Sequence, residues 1–167
     1  YFFKGKIPED LIKDLSKKVG TDLKLFFYKQ GFLKNIETIN GLSKKHKLYF
    51  FLVYPNIKCS TSNIYSKIKK YSSKSKYSLK YINKKLNYIK LISSKSNDLQ
   101  LVVEKKYHTI KKLLMEIGKE KGCYFSRMTG SGSVCYGLFI NQNYAKKAQI
   151  NLKKIYPKFW VSIAKTV

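Results

Sequence analysis

Two predicted strands, residues 123–128 and 134–140, are joined by the segment Thr129-Gly130-Ser131-Gly132-Ser133. A helical pattern precedes this pair of strands and another follows it, because apolar side chains recur there every three or four positions. The two apolar stripes are Ile110, Leu113, Leu114 and Ile117 before the strands, and Ala145, Ala148, Leu152 and Ile155 after them. A helix on each side of a strand pair restricts this region to mixed α and β folds.

Further predicted strands lie at the two outer ends of this region. Residues 48–54 form an apolar run that Pro55 ends, and Phe159, Val161 and Ile163 alternate with other residues after Pro157. Helical segments at residues 61–68 and 81–91 fall between the first strand and the second. The order β-α-β-β-α-β, with extra helices inserted before the second strand, predicts an α+β, ferredoxin-like domain over residues 41–167.

The first 40 residues have a different pattern. Ile12, Leu15 and Val19 are spaced as in a helix over residues 8–19, and Gly20 ends it. Residues 23–28 are apolar enough for a short strand, and residues 30–47 read as a connection. We therefore place a domain boundary near residue 41.

The net charge of +26 suggests a polyanionic partner, but its composition weakens that inference. Of the 35 basic residues, all except Arg127 are lysine, whereas proteins that read nucleic acids depend strongly on arginine. Abundant Lys, Ile, Asn, Tyr and Phe are also typical of a very AT-rich coding sequence. We interpret the charge mainly as compositional drift, with no nucleic acid as partner. Only nine carboxylates are available for acid–base chemistry.

Several features predict a cytoplasmic protein without a membrane partner. The apolar run at residues 48–54 is far shorter than the ~20 residues that cross a bilayer, and no signal peptide pattern opens the chain. Cys59, Cys123 and Cys135 lack paired spacing, which suits a reducing compartment. His46 and His108 are isolated in the sequence, so we predict no metal site.

Three groups of residues are candidates for a functional site. The loop from Gly130 to Ser133 could let backbone N–H groups converge on an anion, or could be a tight turn. Asp22 is a lone carboxylate between a helix end and a strand, so it is either a turn residue or a functional group. Thr61 and Tyr65 could hold a polar ligand and stack on a ring, or could be a helix cap and a core residue.

An RNA-binding module is the alternative to an enzyme. Ferredoxin-like sheets can stack exposed aromatic side chains on bases, and the third predicted strand contains Tyr136 and Phe139. The first strand adds Tyr49, Phe50 and Phe51. Aromatic residues within continuous apolar runs are, however, more often part of a core.

The order of short motifs resembles that of the 4-diphosphocytidyl-2-C-methyl-D-erythritol kinases, in the superfamily of galactokinase, homoserine kinase and mevalonate kinase. The specific motif is Ser126-Arg127-Met128-Thr129-Gly130-Ser131-Gly132-Ser133-Val134-Cys135-Tyr136-Gly137-Leu138-Phe139. Weaker motifs in the matching order are Gly20-Thr21-Asp22-Leu23, Tyr54-Pro55, Ser60-Thr61 with Tyr65, and Ser96-Asn97-Asp98-Leu99. The resemblance extends over nearly the whole chain, but over little more than the C-terminal half of the family's length.

The resemblance implies transfer of a phosphoryl group from ATP, with Mg²⁺, to the 2-hydroxyl of the small-molecule substrate diphosphocytidyl methylerythritol. Asp22 matches the catalytic carboxylate that accepts the hydroxyl proton. Thr61 and Tyr65 match positions that line the cytidine pocket, where Tyr65 would stack on the base. Gly130, Ser131 and Gly132 would supply N–H donors near the reacting phosphate. Residues 1–40 would be the tail of the N-terminal, ATP-binding kinase domain, and residues 41–167 the substrate-binding domain.

The sequence also departs from the family pattern. The family's N-terminal catalytic lysine and glycine-rich phosphate loop have no match here, and the first residue is Tyr1. We therefore expect a fragment that binds ATP poorly and is inactive alone. Lys24 stands where the family has proline, and Lys34-Asn35-Ile36-Glu37 replaces Gly-x-Gly-Glu, which puts the shape of the substrate entrance in question.

Overall fold

The computed structural model describes residues 8–20, 23, 30–33, 39–72 and 81–166 of the chain. Contacts within the chain divide it into two compact units between Lys45 and His46. The assignment of residues 1–40 to a separate kinase domain remains a prediction.

The smaller unit contains a helix and a hairpin. Helix α1, Glu9–Val19, has the predicted extent and ends at Gly20, whose backbone N–H donates to the Ser16 carbonyl. Strands β1, Gly31–Leu33, and β2, Ile39–Gly41, pair antiparallel where the sequence suggested only a connection. Strands of three residues are too short to produce a visible alternation of apolar and polar residues. The strand predicted at residues 23–28 lies almost wholly outside the described residues.

The larger unit, His46–Thr166, has the predicted α+β order. Its first half contains β3 (Tyr49–Tyr54), α2 (Thr61–Tyr65), a 3₁₀ turn (Tyr81–Asn83), α3 (Lys85–Ser93) and α4 (Gln100–Lys106). Its second half contains α5 (His108–Lys119), β4 (Cys123–Met128), β5 (Cys135–Phe139), α6 (Gln142–Ile155) and β6 (Trp160–Lys165). The four strands β3 to β6 form an antiparallel sheet in the order β4-β5-β3-β6, which is the ferredoxin-like arrangement.

The main core lies between one face of this sheet and the helices. Strands β3 and β5 contribute the buried side chains Phe51, Val53, Cys135 and Phe139 to this face. Helices α4, α5 and α6 cover them with the buried residues Val103, Ile110, Leu113, Leu114, Ile117, Ala145, Ala148 and Leu152. The apolar stripes predicted for α5 and α6 are therefore confirmed, apart from one position.

That position is Ile155, which is 54% exposed although the sequence predicted it to be buried. Helix α6 ends at this residue, and the chain then turns toward β6. Tyr156 packs against the core in its place and stacks on Phe159, with 4.8 Å between the ring centroids. Because the helix ends at Ile155, the buried position predicted there is taken by the next residue, Tyr156.

Helix α3 lies at the opposite face of the sheet. Arg127 of β4 donates from its guanidinium group to the carbonyl oxygens of Ile92 (3.0 Å) and Ser93 (3.3 Å) at the end of that helix. On the same face, Tyr136 packs edge-on against Phe50 and Phe125, with ring centroids 5.9 and 6.0 Å apart. Aromatic packing and a bonded helix end thus occupy this face.

Candidate functional site

The glycine-rich loop forms the connection between β4 and β5. The Thr129 N–H donates to the Val134 carbonyl at 2.8 Å, and the Gly132 N–H donates to the Thr129 carbonyl at 2.9 Å. Gly130 and Gly132 have φ values of +45° and +93°, a conformation that side chains bearing a Cβ rarely adopt. The loop therefore forms a tight turn, and an anion site on the same turn stays a prediction.

The underside of the loop is packed against the core. A Cβ at Gly132 would lie 2.8 Å from the sulfur of Met128 and 3.3 Å from the sulfur of Cys59. Ser133, which is buried, donates from its hydroxyl to the Ile57 carbonyl. By contrast, a Cβ at Gly130 would meet nothing within 4 Å. The loop is therefore packed against the protein at Gly132 and unobstructed at Gly130.

Two side chains near the start of α4 hold the loop, and the sequence did not identify them as site residues. Asn97 donates from Nδ2 to the carbonyl oxygens of Met128 (2.9 Å) and Gly130 (2.8 Å). Gln100 accepts the Met128 N–H through Oε1 at 3.0 Å. Both peptide groups of Met128 are thereby fixed to α4. The sequence signal for Asn97 is the Ser96-Asn97-Asp98-Leu99 motif, which supports the family resemblance but assigns Asn97 no role.

Thr61 and Ser131 come together, although 70 positions separate them. The residue that caps helix α2 is Ser60, whose hydroxyl accepts the Asn63 N–H at 3.5 Å, and not Thr61 as the alternative interpretation had it. This places Thr61 at the first position of the helix, where its Oγ1 lies 2.9 Å from the Ser131 Oγ. Tyr65, one turn further along α2, is 50% exposed and so is not the core residue of the alternative reading.

A cleft of about 710 Å³ is lined in part by Asn97 and Gln100, the residues that hold the loop. Its lining includes the cations Lys70, Lys95 and Arg127 and the polar or acidic residues Ser72, Asn97 and Asp98. Asp98 accepts hydrogen bonds from the backbone N–H and hydroxyl of Ser72, and these bonds lower the pKa of its carboxyl group. The ionised carboxylate of Asp98 therefore lies in the same cleft as the cations Lys70, Lys95 and Arg127.

The remaining predicted site residue cannot be placed. Asp22, with Lys24 and the segment that ends in Glu37, lies outside the described residues.

Within the described ranges, no group of three His, Cys, Asp or Glu side chains could hold a metal ion. The helices of those same ranges include none that is long and apolar enough to cross a membrane.

The RNA-binding alternative finds no support in the sheet. Phe139 is 1% exposed and belongs to the core beneath the helices. Tyr136 packs between two phenylalanine rings, and burial raises the pKa of its phenol. Neither ring is presented for stacking on a base.

One comparison matches the region around the glycine-rich loop to a family of kinases. Residues 80–158 match the family model described as GHMP kinases C terminal. The match spans 79 of the 167 residues and contains helices α3 to α6, strands β4 and β5 and the glycine-rich loop, so this region is similar to the C-terminal part of GHMP kinases.

Individual relatives narrow the resemblance to one kind of kinase. The chain is 32% identical over 161 residues to the 4-diphosphocytidyl-2-C-methyl-D-erythritol kinase of Thermoanaerobacter pseudethanolicus, covering 93% of this chain and 54% of the relative. It is 29% identical over 163 residues to the kinase of the same name from Pelagibacter ubique, covering 97% of this chain and 57% of that protein. The resemblance inferred from the motifs is thus confirmed, and the chain spans about half the length of these relatives.

Solved structures have the same fold. A crystal structure of 4-(cytidine 5'-diphospho)-2C-methyl-D-erythritol kinase superimposes with a TM-score of 0.71 at 15% identity, over 99% of this chain and 59% of that one. A homoserine kinase from Cytophaga hutchinsonii gives a TM-score of 0.50 at 16% identity, over 78% of this chain and 44% of that one.

Proposed function

We propose that the protein acts as a kinase that transfers the γ-phosphoryl group of ATP to the 2-hydroxyl of 4-diphosphocytidyl-2-C-methyl-D-erythritol, in the cytoplasm, on the non-mevalonate route to isoprenoid precursors. The names of the relatives support this reaction. The observation that carries the proposal for this chain is the 2.9 Å contact between the hydroxyls of Thr61 and Ser131. It joins the motif assigned to the cytidine pocket with the motif assigned to the phosphate.

The glycine-rich loop has the donors that a phosphoryl group needs. Among the described residues, none accepts a hydrogen bond from the N–H of Gly130 or Ser131. A Cβ at Gly130 would meet no atom within 4 Å, so no neighbouring side chain blocks the loop at that point. Fixed N–H donors that meet developing negative charge are a major source of rate acceleration in such reactions. The Gly132 N–H is already bonded within the turn, so its proposed role is to shape the loop.

Helix α2 would provide the nucleotide end of the substrate site. The exposed ring of Tyr65 is available to stack on the cytosine base, and Thr61, at the start of the same helix, can bond a polar group of the substrate. The two residues are four positions apart and therefore lie on the same side of the helix.

Asp22 would accept the proton of the 2-hydroxyl as its oxygen attacks the γ-phosphorus and ADP leaves. In the proposed reaction the carboxylate activates and aligns the attacking oxygen. Mg²⁺ would neutralise charge on the phosphates, and it commonly needs only one or two carboxylates besides them. The net charge of +26 would attract both anionic substrates, with a dependence on ionic strength.

The test uses the complete reading frame that contains these 167 residues. ATP-dependent phosphorylation of the diphosphocytidyl substrate is measured for the unmodified protein, for Asp22→Asn and for Asp14→Asn, the last being an exposed carboxylate on α1. Asp22→Asn should lower kcat by about 10²-fold or more, since the proton acceptor is lost, and Asp14→Asn should change little. Absence of activity in the unmodified protein refutes the function, and full activity of Asp22→Asn refutes the assigned role.

A further inference from the structure

The carboxamide of Asn97 makes three hydrogen bonds, and all of them go to the backbone. Its Nδ2 donates to the carbonyl oxygens of Met128 and Gly130 at 2.9 and 2.8 Å, and its Oδ1 accepts the Leu99 N–H at 3.0 Å. We propose that Asn97 is a positioning residue for phosphoryl transfer, which orients the peptide group between Gly130 and Ser131 so that the Ser131 N–H faces the transferred phosphoryl group. This inference rests on the proposed function.

The orientation follows from the geometry of a peptide group. In a trans peptide the C=O and N–H bonds point in opposite directions. Because Asn97 binds the Gly130 carbonyl, the Ser131 N–H of the same peptide is directed away from Asn97 and from the start of α4. Asn97 therefore determines the direction of a donor that it does not touch.

The same bonds remove negative charge from the path of an anion. The carbonyl oxygens of Met128, Thr129 and Gly130 would each repel a phosphate that approached the loop. Asn97 donates to the first and third of them, and the Gly132 N–H donates to the second at 2.9 Å. These three carbonyl oxygens are therefore bonded within the protein, whereas the N–H groups of Gly130 and Ser131 have no acceptor among the described residues, as an anion-binding backbone concavity requires.

Gln100 supports this arrangement from the next turn. Its Oε1 accepts the Met128 N–H at 3.0 Å, and its Nε2 donates to Glu104 at 2.7 Å, which fixes the amide orientation. Met128 itself is 1% exposed. The loop therefore follows a buried residue, Met128, whose N–H and carbonyl are both hydrogen-bonded to side chains. Asn97 then orients the Gly130 carbonyl two residues further along.

The test replaces the Asn97 donor without changing its size. Asn97→Asp keeps the acceptor for the Leu99 N–H but places a carboxylate oxygen against two carbonyl oxygens. Asn87→Asp is the matched control, because Asn87 donates from Nδ2 to the Tyr81 carbonyl at 3.0 Å on α3, outside the loop. In the complete reading frame, Asn97→Asp should lower kcat on the order of 10²-fold with KM values little changed, as for loss of an aligned backbone donor. Asn87→Asp should keep the unmodified kcat.

A second measurement does not depend on kinase activity. The protein made from the complete reading frame is titrated with inorganic tripolyphosphate while the amide resonance of Ser131 is followed by NMR. The resonance should shift in the unmodified chain and in Asn87→Asp, and affinity should fall at least ~10-fold in Asn97→Asp. If Asn97→Asp does not fold, Asn97→Ala removes both donor bonds without adding charge, and the same losses are expected in smaller degree.

The outcomes separate the two proposals. An unmodified protein without kinase activity refutes the proposed function, whereas the tripolyphosphate titration still decides the role of Asn97. An active protein whose Asn97→Asp variant keeps its kcat overturns the positioning role. An unmodified chain in which tripolyphosphate leaves the Ser131 resonance unmoved overturns it as well.

Discussion

Alanine substitutions at the two glycines of the loop should destabilise the protein to very different extents. At Gly130, φ is +45° and a Cβ would meet nothing within 4 Å. At Gly132, φ is +93° and a Cβ would lie 2.8 Å from the Met128 sulfur. The two positions differ mainly in what lies beneath them, so they form a matched pair within one turn.

The expected magnitudes follow from these two environments. Gly130→Ala forces an L residue into the left-handed region and meets no neighbour, so it should lower the free energy of unfolding by about 1 kcal/mol. At Gly132 the φ value lies further outside the region allowed to L residues, so backbone strain in Gly132→Ala should lower the free energy of unfolding by about 2 kcal/mol. The new methyl group must also displace a neighbour. That neighbour, Met128, is 1% exposed and cannot move into solvent, so overpacking adds roughly 2 kcal/mol. The total for Gly132→Ala is about 4 kcal/mol.

Urea denaturation of the chain and of both variants measures the difference directly. We expect a gap of about 3 kcal/mol in the free energy of unfolding, with unchanged dependence on denaturant. Losses for the two variants that agree within about 1 kcal/mol would refute the argument, because the packing of Gly132 on Met128 would then contribute nothing.

Two further predictions concern thiol reactivity and substrate binding. Burial raises the pKa of Cys123 to about 11 and that of Cys135 to about 12; it also raises the pKa of Cys59, but the charge of Lys106 opposes that rise. Iodoacetamide at neutral pH should therefore label Cys59 first and the buried Cys135 last. Mass spectrometry that found Cys135 labelled as fast as Cys59 would contradict its burial. In the complete reading frame, Tyr65→Leu should raise KM for the diphosphocytidyl substrate about 10-fold, as expected for loss of a stacked base, while Tyr81→Leu, also about half exposed, should not. Equal KM values for the two variants would remove Tyr65 from the site.

The sheet and the helices that cover it were predictable because burial leaves a periodic pattern in the sequence. Phe51 and Val53 of β3 alternate with partly exposed neighbours, and Ile110, Leu113 and Ile117 follow the helical repeat. The pattern failed where an element ends or is very short. Ile155 continued the repeat at the end of α6 but is exposed, and the hairpin of β1 and β2 was too short to show a repeat.

The candidate site was only partly predictable, because its contacts join distant segments. The Ser60 cap of α2 is local and could be read from residue types. The contact between Thr61 and Ser131 spans 70 positions, and the bonds of Asn97 to the loop span 31 and 33. Nothing in the chemistry of an isolated asparagine distinguishes a helix cap from a side chain that positions a remote loop. Only the packed arrangement of α4 beside β4 does so.

Arg127 shows how composition and structure inform each other. Lysine supplies every other basic side chain, so compositional drift explains those cations more easily than it explains this arginine. The guanidinium bonds two successive carbonyl oxygens at the end of α3 and lies 4.6 Å above the ring of Phe125. A lysine ammonium cannot reproduce this planar, two-pronged contact. Because β4 leads directly into the glycine-rich loop, the arginine that anchors this strand to α3 also stabilises the base of the proposed phosphate site.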